Sequence, residues 1–134
     1  MKAKNFLLLI LFGALVFTAC EKGPGEGGTS TIRGKVIMYE YSRDLLICYD
    51  TLPGAREDVY IIYGDDAVYG DRFETSWDGT YEFNYLREGH YTVFTYTEDS
   101  SYLNRGNNIP VMKEVEITGK NQVVEVPDFN IINF

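Results

Sequence analysis

The chain has 134 residues, of which 45% are hydrophobic, 15% aromatic and 24% charged, with a formal net charge of −8. That length suits one domain around a single core. The acidic balance excludes nucleic-acid binding, which needs a clustered basic footprint that the sequence nowhere provides.

Residues 1–19 read as an export signal. Lys2 and Lys4 form a basic head, an apolar run follows at 6–17, and Thr18 and Ala19 are small. A spanning helix needs roughly 20 apolar residues, so this run is too short to cross a membrane and belongs to a cleaved segment. Phe17-Thr18-Ala19-Cys20 resembles the lipobox of bacterial lipoproteins, with Phe17 where leucine is usual. The resemblance implies that Cys20 receives a diacylglycerol and becomes an acylated N-terminus. Membrane lipid is then the first partner, since each buried methylene contributes about 0.8 kcal/mol. The expected location is the bacterial cell envelope at the outer membrane, with the periplasmic or surface face left open.

Residues 20–30 hold four glycines, one proline and no large apolar side chain, which predicts a flexible tether carrying Cys20. Glu21 and Glu26 give it the acidic character seen after the cysteine of surface-exported lipoproteins. The folded domain is expected over 31–134. Loss of Lys2 and Lys4 with the signal makes the mature chain more acidic still, which suits solubility in an envelope compartment. With Cys20 consumed, Cys48 has no partner for an internal disulfide. Its apolar neighbours at 45–49 predict a buried, unreactive thiol.

The folded part is a series of short β-branched and aromatic runs broken by Gly, Asp, Asn and Pro, so an all-β domain is expected. Residues 31–41 form the first strand, with Ile32, Gly34, Val36 and Met38 on one face. The segment through Cys48 is a short strand or an excursion, and 51–55 a turn set by Pro53 and Gly54. Residues 58–63 are apolar on both faces. Runs 72–77 and 80–86 flank Asp78-Gly79, a hairpin signal because its tight turn needs positive φ. In the second arm Tyr81, Phe83 and Tyr85 alternate with Glu82 and Asn84. Turns at 87–89 and 119–121 separate strands at 90–97, 111–117 and 122–126. About seven strands result, the pattern of a two-sheet sandwich, with a small barrel as the alternative.

The segment Ser76-Trp77-Asp78-Gly79-Thr80-Tyr81-Glu82-Phe83-Asn84-Tyr85-Leu86-Arg87-Glu88-Gly89-His90-Tyr91-Thr92-Val93 resembles the signature of carboxypeptidase regulatory-like and transthyretin-like domains. Residues 32–36, 53–59 and 123–126 are similar to the flanking strands of that family. The resemblance implies a seven-stranded antiparallel Greek-key sandwich, prealbumin-like, that serves as a non-catalytic accessory. The residues have structural duties of their own. Gly79 permits the turn after Asp78, Leu86 plugs the core, Gly89 allows the chain to return, and Tyr81, Phe83 and Tyr91 fill the space between sheets.

No enzyme is expected. The mature chain offers one histidine, His90, and one thiol, Cys48, without a carboxylate cluster to tune them. The several histidines used by hydrolytic transthyretin relatives are missing. The acidic pairs Asp65-Asp66 and Glu98-Asp99 lack the repeated ligand spacing of a calcium loop and read as solvated turns. No cofactor or metal is implied. Eleven tyrosines supply binding material, although most are expected to stack across neighbouring strands. The long polar connection at 98–109 is the expected partner contact. There Tyr102 and Leu103 would give apolar contact and Arg105 a directional cation, toward an envelope protein or a polysaccharide. A plain spacer is the alternative.

Overall fold

The computed structural model describes residues 22–101, 103–104 and 106–134. The signal, Cys20, Tyr102 and Arg105 lie outside the described residues. The strand expected over 31–41 forms and starts earlier: β1 runs Glu26–Tyr41. It is followed by β2 (Cys48–Pro53), β3 (Asp58–Tyr63), β4 (Asp71–Glu74), β5 (Thr80–Leu86), β6 (Gly89–Glu98), β7 (Asn108–Ile117), β8 (Val123–Glu125) and β9 (Phe129–Asn133).

Both edges of β1 are used twice. On one edge its first half pairs antiparallel with β5 and its second half with β2. On the other edge β8 and then β9 pair with it in parallel. The second sheet is antiparallel throughout, in the order β4-β3-β6-β7. Ile32, Val36, Phe83 and Phe129 of the first sheet meet Val59, Ile61, Tyr91 and Val93 of the second in one core, and all are almost wholly excluded from water. The domain is therefore an all-β sandwich. It has nine strands among its described residues where seven were expected, and the first sheet is mixed.

Four further expectations change. Strand β1 begins inside the stretch read as a tether, because Ser30 is buried and Glu26 and Ser30 both register with Leu86. Residues 51–53 continue β2 rather than turning. The Asp78-Gly79 turn closes locally, with Gly79 donating to the Ser76 carbonyl and Ser76 to that of Thr80, both at 2.8 Å. Yet β4 and β5 do not pair: β4 joins β3 and β5 joins β1, so the turn is a corner between sheets. Thr75 enforces this. It is buried, its amide donates to the Glu57 carbonyl at 2.8 Å and its hydroxyl to that of Gly54 at 2.6 Å, which binds the end of β4 to the entry of β3. Gly79, at φ 81°, stands where a Cβ would strike the Val36 carbonyl.

Tyr85 is the fourth change. Ile32 registers with Phe83 but Ser30 with Leu86, so β5 carries one extra residue there, and Tyr85 adopts φ 61°. This bulge turns Tyr85 outward, 74% exposed, and puts Leu86 into the core in its place. The other scaffold residues, Tyr81, Phe83, Leu86 and Tyr91, are buried, while Asp78 is exposed and accepts from the Thr80 amide and hydroxyl.

Tyr81 Oη is buried with no hydrogen-bond partner among the described residues, and a Cβ on Gly34 would lie 2.5 Å from it. An unsatisfied buried hydroxyl costs about 1–3 kcal/mol and overpacking a similar amount. Tyr81→Phe is therefore expected to leave stability unchanged or raise it by about 1 kcal/mol. Gly34→Ala should lower it by about 1–3 kcal/mol, and the double variant by less than Gly34→Ala alone, as read from urea midpoints.

Burial raises the hydroxyl pKa values of Tyr63, Tyr81 and Tyr91, that of Tyr63 to about 12 with the Glu26 and Asp71 charges adding to the effect. The unfolded chain releases these protons near pH 10, whereas the folded form holds them. Their contribution is complete below about pH 10 and is lost as pH rises through the folded values. Urea unfolding between pH 8 and 12 should show stability falling above about pH 10, and Tyr63→Phe should flatten that fall.

Candidate functional site

Alternation on β3 and β6 sends Val59, Ile61, Tyr91, Val93 and Thr95 into the core. The residues between them necessarily emerge on the outer face of the second sheet. Cross-strand register then builds one row, Arg72–Tyr60–Phe94–Met112, from four neighbouring strands. Tyr60 and Phe94 stack with centroids 5.0 Å apart and planes 15° apart. Tyr96 meets Tyr60 edge-on at 5.9 Å, and Tyr69, from the β3–β4 connection, does so at 4.9 Å. Phe94 is nearly covered by these neighbours, but Tyr69 is 53% and Tyr96 42% exposed.

Polar groups border the rings. Arg72 Nη1 lies 3.0 Å from Asp58 Oδ2, and the Tyr60 hydroxyl donates to the same oxygen at 3.4 Å. Burial and the Asp58 charge together raise the Tyr60 pKa, so its hydroxyl stays protonated and a donor at neutral pH. The Asp58 charge likewise raises the Arg72 pKa and keeps it cationic. The result is an aromatic strip with a carboxylate, a guanidinium and phenolic hydroxyls at its margin. Three interstrand steps make it about 14 Å wide. Such a surface can stack the apolar faces of a ligand and hydrogen-bond its edges.

Of the residues expected from the sequence to touch a partner, Leu103 alone is described, and it lies elsewhere. Leu103 is 88% exposed in the connection between β6 and β7, and Tyr102 and Arg105 fall outside the described residues. That connection is shorter than read, because β6 extends to Glu98 and β7 starts at Asn108. The site residues Tyr60, Tyr69, Phe94, Tyr96, Asp58 and Arg72 were not singled out in the sequence. For Tyr60, Phe94 and Tyr96 the signal was an aromatic ring at alternate positions of strands already apolar on the opposite face. Only the register sets Tyr60 beside Phe94.

The remaining chemistry-bearing groups stay apart. His90 Nε2 lies 3.4 Å from Glu116 Oε1 at an exposed position on the second sheet. Cys48 is on β2 of the first sheet and is exposed, against the expectation of burial. The apolar run 45–49 spans the end of the β1–β2 connection and the first two residues of an edge strand whose residues are all exposed, so apolar character did not secure burial. Asp65 and Asp66 are exposed on the β3–β4 connection. Among the described residues no group of three or more His, Cys, Asp or Glu side chains could hold a metal ion.

No protein-family description matches the chain, and neither does a curated protein. Among solved structures, a proposed carbohydrate-binding protein from Pseudomonas aeruginosa superposes with a TM-score of 0.48 at 17% identity, over 81% of this chain and 91% of that one.

The exposed Cys48 gives a direct check on the placement of β2. Its thiol should react with a chromogenic disulfide in the native protein at a rate close to that in denaturant. Protection by several orders of magnitude, released by denaturant, would instead put β2 in the core.

Proposed function

We propose that the chain is a non-catalytic binding module of the bacterial cell envelope, anchored through acylated Cys20, and that the outer face of its second sheet takes a carbohydrate chain. The observation that carries this reading is the Tyr60–Phe94 stack flanked by exposed Tyr69 and Tyr96, with Asp58 and Arg72 at its edge. Sugar rings present apolar C–H faces and a rim of hydroxyls. Tyrosine rings receive the first, and a carboxylate–guanidinium pair receives the second. An open sheet face favours an extended polymer over an enclosed small molecule. The net charge of −8 favours a neutral glycan over an anionic one.

A protein partner is the second reading, and β2 favours it. Ile47 and Tyr49 are 56% and 67% exposed beside and on this strand, and among the described residues no strand pairs with the edge of β2 that faces away from β1. Such an edge accepts a further strand.

The test is capture of the full chain on neutral and acidic polysaccharides. Two stacking rings at about 1 kcal/mol each predict that Tyr69→Ala/Tyr96→Ala weakens capture by roughly tenfold or more, with the urea midpoint kept within about 1 kcal/mol. Loss of capture in Tyr102→Ala/Arg105→Ala alone would move the site to the β6–β7 connection. Capture of no glycan by the parent chain would remove the carbohydrate reading.

A further inference from the structure

Residues 23–26, read from the sequence as part of a loose tether, are gripped. Arg87 Nε donates to the Gly23 carbonyl at 2.7 Å and Nη1 to that of Glu26, while the Arg87 amide donates to the Gly25 carbonyl at 2.9 Å. The Gly25 amide donates to Tyr91 Oη at 2.9 Å, and that hydroxyl donates to the Arg87 carbonyl at 2.6 Å. Tyr91 is buried in the core, so one end of this chain of bonds is fixed in the sandwich. Pro24 packs where a Cβ on Gly89 would stand, 2.8 Å from its Cγ. Gly89, at φ 141°, supplies both the turn and the seat.

Only Glu21 and Lys22 separate Cys20 from this grip. An extended chain covers at most about 3.6 Å per residue, so Cys20 lies within about 11 Å of Gly23. The grip sits at the end of the sandwich where β5 and β7 finish and β6 begins. The concavity beside it is lined by Lys22, Arg87 and Lys120 together with Glu88 and Glu116, a more balanced charge than the acidic chain as a whole.

We propose that this grip orients the domain: the end bearing Arg87, Gly89 and Lys120 faces the lipid surface, and the strands run away from it. The inference rests on acylation of Cys20. A flexible tether would leave the domain free to tumble. The gripped one fixes which end is near the bilayer and turns the outer face of the second sheet sideways, open to the surroundings.

Trp77 is the single tryptophan and is 87% exposed at the Asp78-Gly79 corner, far along β1 from the gripped end. It serves as one probe. A Trp77→Phe/Lys120→Trp variant supplies a probe at the proposed lipid-facing end. Both full-length chains are expressed in a Gram-negative host, purified from its membranes and placed in phosphatidylcholine vesicles with brominated acyl chains. Mass spectrometry of the N-terminal peptide reads acylation. The introduced tryptophan is expected to lose most of its emission to the brominated lipid, and Trp77 almost none. Adding Arg87→Ala to either chain, with the urea midpoint as a check on folding, should bring the two probes toward equal quenching. A glycine-serine insertion between Lys22 and Gly23, which leaves the grip intact, should abolish quenching of the introduced tryptophan. Acylated protein with equal quenching at both probes would overturn the inference and leave the anchor in place. So would an Arg87→Ala chain that keeps the difference. An unacylated Cys20 would remove the anchor and the inference together.

Discussion

Everything in this fold depends on the hydrogen bonding of β1. A strand has two edges, and each edge of this one is divided between two partners, so four other strands take their positions from it. The division on one edge falls at Val36, whose amide donates to the Gly79 carbonyl at 2.8 Å and whose carbonyl accepts from the Gly54 amide at 2.9 Å. One residue thus ends the β5 ladder and starts the β2 ladder. On the other edge the Val126 amide donates to the Arg33 carbonyl at 2.8 Å, and the chain then steps across to begin β9 opposite Val36. Because side chains alternate along a strand, any slip of β1 by one residue would turn Ile32 and Val36 out of the core and misplace all four partners.

This dependence explains what the sequence could and could not say. Alternation is a local property, and it located β1, β3, β5, β6 and β7 to within a few residues. Pairing is not local. Asp78-Gly79 carries the dipeptide of a hairpin, yet the bonds of Thr75 to Gly54 and Glu57 send β4 to a different sheet from β5. Those partners lie some twenty positions upstream, where no turn rule looks. The bulge at Tyr85 was hidden for a related reason: the extra residue is visible only against the register of β1. At the tether, glycines counted by composition signal freedom, whereas here they let backbone approach backbone beside Arg87. Strand β9 went unseen because it is a continuation in parallel with β1, with no turn signal of its own to mark it.

The candidate site shows the same division. Tyrosine stacking across strands was expected, and Tyr60 on Phe94 is such a pair. What alternation alone could not reveal is that the register sets the outward rings of β3 and β6 side by side and aligns them with Arg72 and Met112. A core-facing row is stabilised by burial, and needs no further reason. An outward row gains part of that through mutual packing, as the coverage of Phe94 shows, but Tyr69 and Tyr96 leave aromatic area in water. The Asp58–Arg72 pair beside them is half exposed, and a pair so placed adds little to stability. Rings that hold each other rigid, beside polar groups that add little to the fold, would lower the ordering cost for the proposed ligand.

The proposed orientation and the proposed binding face would be linked through Tyr91. Its ring packs against Tyr63 in the core, and its hydroxyl holds Gly25 and Arg87 at the rim. It belongs to β6, the strand that carries Phe94 and Tyr96 on its other face. In the proposed anchored form, the path from lipid to ligand is therefore short and stiff: a few residues of chain, a grip on Arg87, then one strand. A long flexible tether would spread the binding face over many orientations and dilute its contacts with any fixed polymer. Gripping the chain close to Cys20 gives up that reach for a fixed presentation. For the proposed envelope module, that choice would favour a ligand lying beside the protein over one that must be sought at a distance.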